Sequence, residues 1–193
     1  MHNEDFDIKI FSPIQIKKAE KSEPVIIVDE MKRQVVSGNL QKAKKLGEMI
    51  ASSFHEAAEK EELWTMASQC CIPEPDRRIK DQAIILSVFT AEYVFTHYIS
   101  DPLLSTTAIT TLYDTLTKQA PELYGNLLAS TAFSFYYMNL EGKETAPDII
   151  GKTFAVLCDD DDNENLLCYG KTVFITSLEN FKKAVESVDF CNS

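Results

Sequence analysis

Glycine is scarce in this chain of 193 residues, where Gly38, Gly47, Gly125, Gly142, Gly151 and Gly170 are the whole set. A chain of ordinary composition and this length carries roughly 13. Backbone N–H groups cradle a phosphate only where clustered glycines let the chain turn tightly around it, and no two glycines here lie within six residues of each other. Gly-rich nucleotide loops are therefore disfavoured and helices favoured. Cysteine is present as an odd set of five, Cys70, Cys71, Cys158, Cys168 and Cys191, with no C-x-x-C spacing. The opening Met1-His2-Asn3-Glu4-Asp5 lacks the basic and apolar stretches of an export signal. Together these predict a cytoplasmic protein with free thiols. Long apolar runs are missing too. The most apolar stretch, Ala83 to Ile99, is broken by Glu92 and bounded by Asp81 and Asp101. At about 17 residues it is short for a membrane span, so it predicts a buried helix and no membrane association.

Positive charge is lacking in one half. Residues 1–80 carry a net −1 and residues 81–193 a net −10, within a total of −11. Nucleic-acid binders need cationic surface to displace counterions from phosphates, which the second half does not offer. The apolar content of 45% and charged content of 25% are those of an ordinary globular chain with a sizeable core.

What is present reads as helices. Residues 1–24 read as irregular or extended, with Phe6, Ile8 and Ile10 alternating before Pro13. Pro24 suits the first turn of a helix over about 25–36, with Ile27, Met31 and Val35 on one face. Ser37-Gly38-Asn39 ends that helix, and Asn39 is expected to cap the next. In that next helix Leu40, Ala43, Leu46, Ile50, Phe54 and Ala57 recur at spacings of three and four. Pro73-Glu74-Pro75-Asp76 is the clearest break in the chain. Beyond it, Arg77–Ile99 predicts a central helix, and Asp101-Pro102 starts one with Leu104, Ala108, Leu112 and Leu116. Pro121 starts another that carries Leu123, Leu127, Leu128, Phe135 and Met138. Thr145-Ala-Pro147-Asp148 resembles a capping box for residues 146–157, although Phe154–Leu157 also has strand character. Asp159–Asp162 predicts an exposed loop, and Thr176-Ser-Leu-Glu179 a capping box ahead of Phe181, Val185 and Val188. The fold expected is mainly α, a multi-helix bundle of helical hairpins. At most a small β element is expected, at the termini or around 154–176. The organisation expected is an N-terminal segment at 1–24, a hairpin region at 25–72 and a bundle at 76–193, in one compact domain overall.

Three patterns that could carry chemistry have plainer explanations. Ala146–Thr153 fits a loose phosphate-loop pattern, but Pro147-Asp-Ile-Ile reads as a helix start where the mechanism needs a flexible loop. His55-Glu56-Ala-Ala-Glu59 nearly spells a zinc signature, with Glu59 in place of the second histidine and no third ligand nearby. An EF-hand counted from Asp159, Asp160 or Asp161 places Gly170, Lys171 or Thr172 where a bidentate glutamate is required. Cys158 and Cys168 flank this acidic loop, and two free thiols are expected there. No G-x-S-x-G occurs. No cofactor, metal or catalytic residue is expected.

The segment Val35–Ala43, the helix opening Asp76-Arg77-Arg78-Ile79-Lys80, and Asn165-Leu166-Leu167 through Phe181-Lys182-Lys183 resemble parts of bacterial AraC-type transcription regulators. The resemblance spans residues 25–187 loosely. It implies a shortened first helix-turn-helix at 163–188, with Ser177, Asn180, Lys182 and Lys183 contacting a nucleic acid or partner. Such regulators grip DNA with two of these motifs. With at most one, and with acidic surroundings, the chain is expected to act through a protein partner and not to bind specific DNA alone. The function expected is therefore a non-enzymatic regulatory or protein-interaction role. The alternative is a small-molecule sensor with a pocket among Phe89, Tyr93, Phe133, Phe135, Tyr136 and Tyr137.

Overall fold

Helix α3 (Arg77–Tyr98) organises the molecule, because it is apolar on nearly every side and must be covered on nearly every side. Every residue from Ala83 to Ala91 is buried, as are Val94 and Phe95. Asp76 sets its start, accepting a hydrogen bond from the Ile79 N–H at 2.9 Å. The computed structural model describes residues 31–57, 61–140 and 146–191. The readings made for residues 1–30, for Glu59 and the side chain of His55, and for Thr145 lie outside the described residues.

Around α3 stand α1 (Asn39–Ala57), α2 (Glu61–Gln69), α4 (Pro102–Gln119), α5 (Pro121–Ala129), α6 (Ala132–Leu140), α7 (Ala146–Leu157) and α8 (Glu164–Glu186). Residues 31–36 are also helical, and no strand occurs among the described residues. The chain is thus a mainly α multi-helix bundle. One hydrophobic core runs through it, and all eight helices contribute buried side chains, Ala43 on α1 and Val185 on α8 among them.

Two helix pairs pack especially closely, each across glycine. Alpha-1 lies alongside α4 and runs parallel to it: Gln34 Nε2 meets Asp101 Oδ2 at 2.7 Å at one end, and Ser52 Oγ meets Gln119 Oε1 at 3.2 Å at the other. Between these ends, a Cβ added to Gly47 would sit 2.5 Å from the Ala108 carbonyl oxygen. The α7–α8 pair is an antiparallel hairpin. A Cβ on Gly151 would sit 2.5 Å from the Leu167 carbonyl oxygen, and one on Gly170 would sit 2.5 Å from Phe154 Cβ.

The boundaries follow local chemistry. Asp101 caps α4 through the N–H groups of Leu103 (2.8 Å) and Leu104 (3.2 Å), with Pro102 in the first turn. Gly38 turns the chain into α1 with φ +75°, a region open to glycine. Helices α2 and α7 are followed by left-handed residues that are not glycine, Cys71 (φ 61°) and Asp159 (φ 57°). The acidic run lies exposed, as read.

Several expectations are corrected. No helix-turn-helix occupies residues 163–188, because Glu164–Glu186 is one continuous helix. Val173 and Phe174 are buried where a turn would fall, so breaking the helix there would expose core. The Thr176–Glu179 capping box therefore lies in mid-helix, and the cap is Asn163, which accepts from Asn165 and Leu166. Phe154–Leu157 is helical, with Phe154 and Ala155 turned into the core at α7's end. The segment from Pro121 to Met138 is two helices, broken at Ser130 and Thr131, where Ser130 Oγ accepts from the Ala132 N–H at 3.1 Å. Asn39 does not cap α1. Its buried amide donates to Gln34 Oε1 and to the Cys191 carbonyl, and its oxygen accepts from the Cys191 N–H, fastening the far end of the described chain. The cysteines are not all free: Cys168 is joined to Cys70 in a disulfide, and Cys158 stays a buried thiol.

Leu112 is fully buried on α4 against the Gly47 contact. Leu112→Ala should lower unfolding free energy by about 2–5 kcal/mol in urea titration. A loss of a few tenths would show that this helix pair does not close the core.

Candidate functional site

An apolar cavity of ≈ 280 Å³, partly open to solvent, lies between α1, α2, α3 and α8. Alpha-1 supplies Met49, Ile50, Ser53 and Phe54, and α2 supplies Leu63 and Met66. Ser87 comes from α3, while α8 contributes Thr176, Ser177, Asn180, Phe181 and Ala184. The helical repeat explains this last set, since residues three and four apart share a face. Phe54 and Phe181 meet edge to face with centroids 5.8 Å apart.

The polar groups of the cavity are few. Ser53 Oγ donates to the Ile50 carbonyl at 2.7 Å, and Ser87 Oγ to the Ala83 carbonyl at 3.0 Å, so both protons are spent within their own helices. Ser177 Oγ lies 3.3 Å from Ser87 Oγ. None of the twelve lining residues carries a charge or titrates near neutral pH. The cavity can solvate an apolar body and offer hydroxyl and amide contacts. Its described lining residues include no acid, base or activated nucleophile.

Of the four side chains expected to make a partner surface, Ser177 and Asn180 thus line the cavity. Lys182 turns elsewhere: its Nζ lies 5.1 Å from the Tyr98 ring centroid and 3.7 Å from Glu186 Oε1. Lys183 is exposed. The four do not form one face. Met49, Ser53, Leu63, Met66 and Ser87 were missed because they lie on three other helices. The one available signal was the pair of small polar residues, Ser53 and Ser87, amid apolar stretches.

The aromatic residues expected to form a pocket do meet, apart from Phe135, which points outward with 45% of its surface exposed. Phe89 contacts Tyr136 and Tyr137 at 4.9 Å and Phe133 at 5.5 Å, centroid to centroid, with Tyr93 at 6.3 Å. At these separations the rings touch and leave no room for a ligand between them. Beside them, the Glu92 carboxylate accepts hydrogen bonds from the Tyr113 hydroxyl and, at 2.8 Å, from the Tyr137 hydroxyl. This ties α3 to α4 and α6. Burial, and then the negative charge of Glu92, holds both phenols protonated well above the usual range. Tyr136 is fully buried and its hydroxyl has no partner among the described residues. Burial also pushes the nearby Cys158 thiol up to about 12.

Among the described residues, no group of three or more His, Cys, Asp or Glu could hold a metal ion, and no helix is long and apolar enough to cross a membrane. No protein-family model, no curated protein and no solved structure matches this chain.

Two outcomes follow from these tyrosines. Tyr136→Phe removes an unpartnered buried hydroxyl, so stability in urea should hold or rise, by up to about 1–3 kcal/mol; a clear loss would reveal a hidden partner. Because the folded phenols of Tyr113 and Tyr137 have raised pKa values, their contribution is full below about pH 10 and is lost as pH climbs further. The melting temperature should therefore fall as pH rises beyond 10. The fall should be shallower in Tyr113→Phe/Tyr137→Phe, and an equal slope would contradict the assignment.

Proposed function

We propose that the protein binds a small, neutral, largely apolar molecule in the cavity between α1, α2, α3 and α8, and works as a sensor or carrier rather than a catalyst. The carrying observation is the described lining itself: apolar walls, a few hydroxyl and amide groups, and no charged residue among the described ones. A charged ligand would lose its hydration there without gaining a counterion. At ≈ 280 Å³ the space lies just under the range of about 300–1,000 Å³ usual for ligand pockets, so the ligand is smaller than drug-sized. Asn180 at the mouth, with Thr176 a turn before it, can receive the ligand's polar end. Transformation of the ligand is disfavoured because no described lining group can move a proton at neutral pH.

A thermal-shift titration with 1-octanol, and with ionised octanoate as the charged counterpart, tests this. A ligand at 100 times its dissociation constant adds about 2.7 kcal/mol, worth roughly 5–11 °C in a chain of this size. The alcohol should raise the melting temperature and octanoate should not. Ala184→Phe, which fills the space from α8, should abolish the shift. No shift with the alcohol, or an equal shift in Ala184→Phe, refutes the site.

A role through a protein partner, the other expectation, keeps one specific observation. On α6 and α7, Phe135, Met138 and Val156 are 45%, 73% and 49% exposed, and Phe135 and Val156 line one shallow groove. Apolar side chains so placed are a common mark of a contact surface. Phe135→Ser/Met138→Ser should leave the alcohol-induced shift intact, which separates the two surfaces.

A further inference from the structure

We propose that the Cys70–Cys168 disulfide is a redox clasp on this cavity: closed, it pins α2 to α8 and fixes one wall; reduced, it releases α2 and opens the site. The inference rests on the reading of the cavity as a ligand site, and its mechanical part stands on geometry alone. Cys70 directly follows α2 and Cys168 lies in the second turn of α8, with their Cα atoms 5.8 Å apart across 98 residues of sequence. Alpha-2 carries Leu63 and Met66 into the cavity from one side. Two turns beyond Cys168, α8 carries Thr176 and Ser177 into it from the other. The bridge therefore joins the two walls directly.

Without it α2 is held lightly. Its noncovalent anchors among the described residues include the buried side chains of Leu63 and Ala67, packing by Trp64 and Met66, and a hydrogen bond from the Tyr169 hydroxyl to the Leu63 carbonyl at 3.1 Å. Lys80 Nζ adds a contact 5.1 Å from the Trp64 ring centroid.

The bridge is built asymmetrically for exchange. Cys168 is exposed whereas Cys70 is only 5% exposed, so attack by an incoming thiol is assigned to Cys168. The reductant is a cellular thiol of the glutathione class. Its thiolate attacks Cys168 Sγ, forming a mixed disulfide, and the Cys70–Cys168 bond breaks with the electron pair leaving on Cys70 Sγ. The Thr172 hydroxyl, 3.7 Å from that sulfur, can donate to the departing thiolate before it takes a proton from water. A second thiol then displaces Cys168. In sum, two thiols become one disulfide, and Cys70 and Cys168 each gain a hydrogen. The oxidised form of the same reagent closes the clasp by the reverse steps.

Hydrogen exchange on the full chain, oxidised or reduced with dithiothreitol, tests the clasp without any ligand. Amides of residues 61–69 should exchange about tenfold faster or more after reduction, while those of α3 should be unchanged. Cys168→Ser should exchange at the fast rate with and without dithiothreitol; reduced wild type blocked with iodoacetamide provides a second unlinked form. Cys71→Ser and Cys191→Ser should respond as wild type. Equal exchange in both redox states, or a dithiothreitol response that persists in the unlinked forms, overturns the clasp. Binding of 1-octanol, followed in parallel, should differ at least threefold in affinity between the two states. Faster exchange with no octanol binding in either state upholds the clasp mechanically and sinks the ligand reading; unchanged exchange with normal binding does the reverse.

Discussion

The burial of α3 is the constraint on which the rest of the structure depends. A helix apolar on one face can lie on a core, but one apolar all round must become the core. Its buried hydroxyls are satisfied within the helix itself. Ser87 donates to the Ala83 carbonyl and Thr90 to the Leu86 carbonyl, so neither hydroxyl is left unsatisfied among hydrocarbon. Glu92, the one Asp, Glu, Lys or Arg between Ala83 and Tyr98, is received by two tyrosine hydroxyls at the helix edge. The carboxylate thereby becomes a link between helices instead of a defect.

Covering such a helix demands close neighbours, and this explains where the rare glycines go. Gly47, Gly151 and Gly170 all sit in helices, a costly place for glycine by propensity. At each one a partner helix passes so near that a single added carbon would collide with it. The chain thus spends half of its six glycines on close approach between helices. The scarcity that counts against a phosphate loop and the tight packing of the α1–α4 and α7–α8 pairs are two aspects of one composition.

Alpha-2 is the exception to this tightness. It follows α1 and packs chiefly against α8 and α1. Its Leu63 and Met66 line the cavity, and the sulfur bridge lies at its far end. Stability is not uniform across a fold, and elements that admit ligands come from its weakly held parts. The cavity and the clasp belong to the same weakly packed region.

The sequence by itself determined the helices, because spacing and capping act over a few residues and need no partner. The four-residue repeats from Leu40 and from Leu104, the starts at Asp76 and Asp101, the turn at Gly38 and the burial of Ala83–Ala91 all follow from local pattern. Local pattern also misled. Thr176–Glu179 has the letters of a helix start, but the buried Val173 and Phe174 just before it carry α8 straight through. Phe154–Leu157 has strand-like residues, but their place in the close α7–α8 pair makes them helical. Only the tertiary structure decided which helix faces touch. It brought Ser177 and Asn180 to Met49, Leu63 and Ser87, gathered the aromatic residues into packed core, and paired Cys168 with Cys70 rather than leaving both as free thiols. Contacts between residues about a hundred positions apart arise when several helices bury their faces together, and no single segment encodes them.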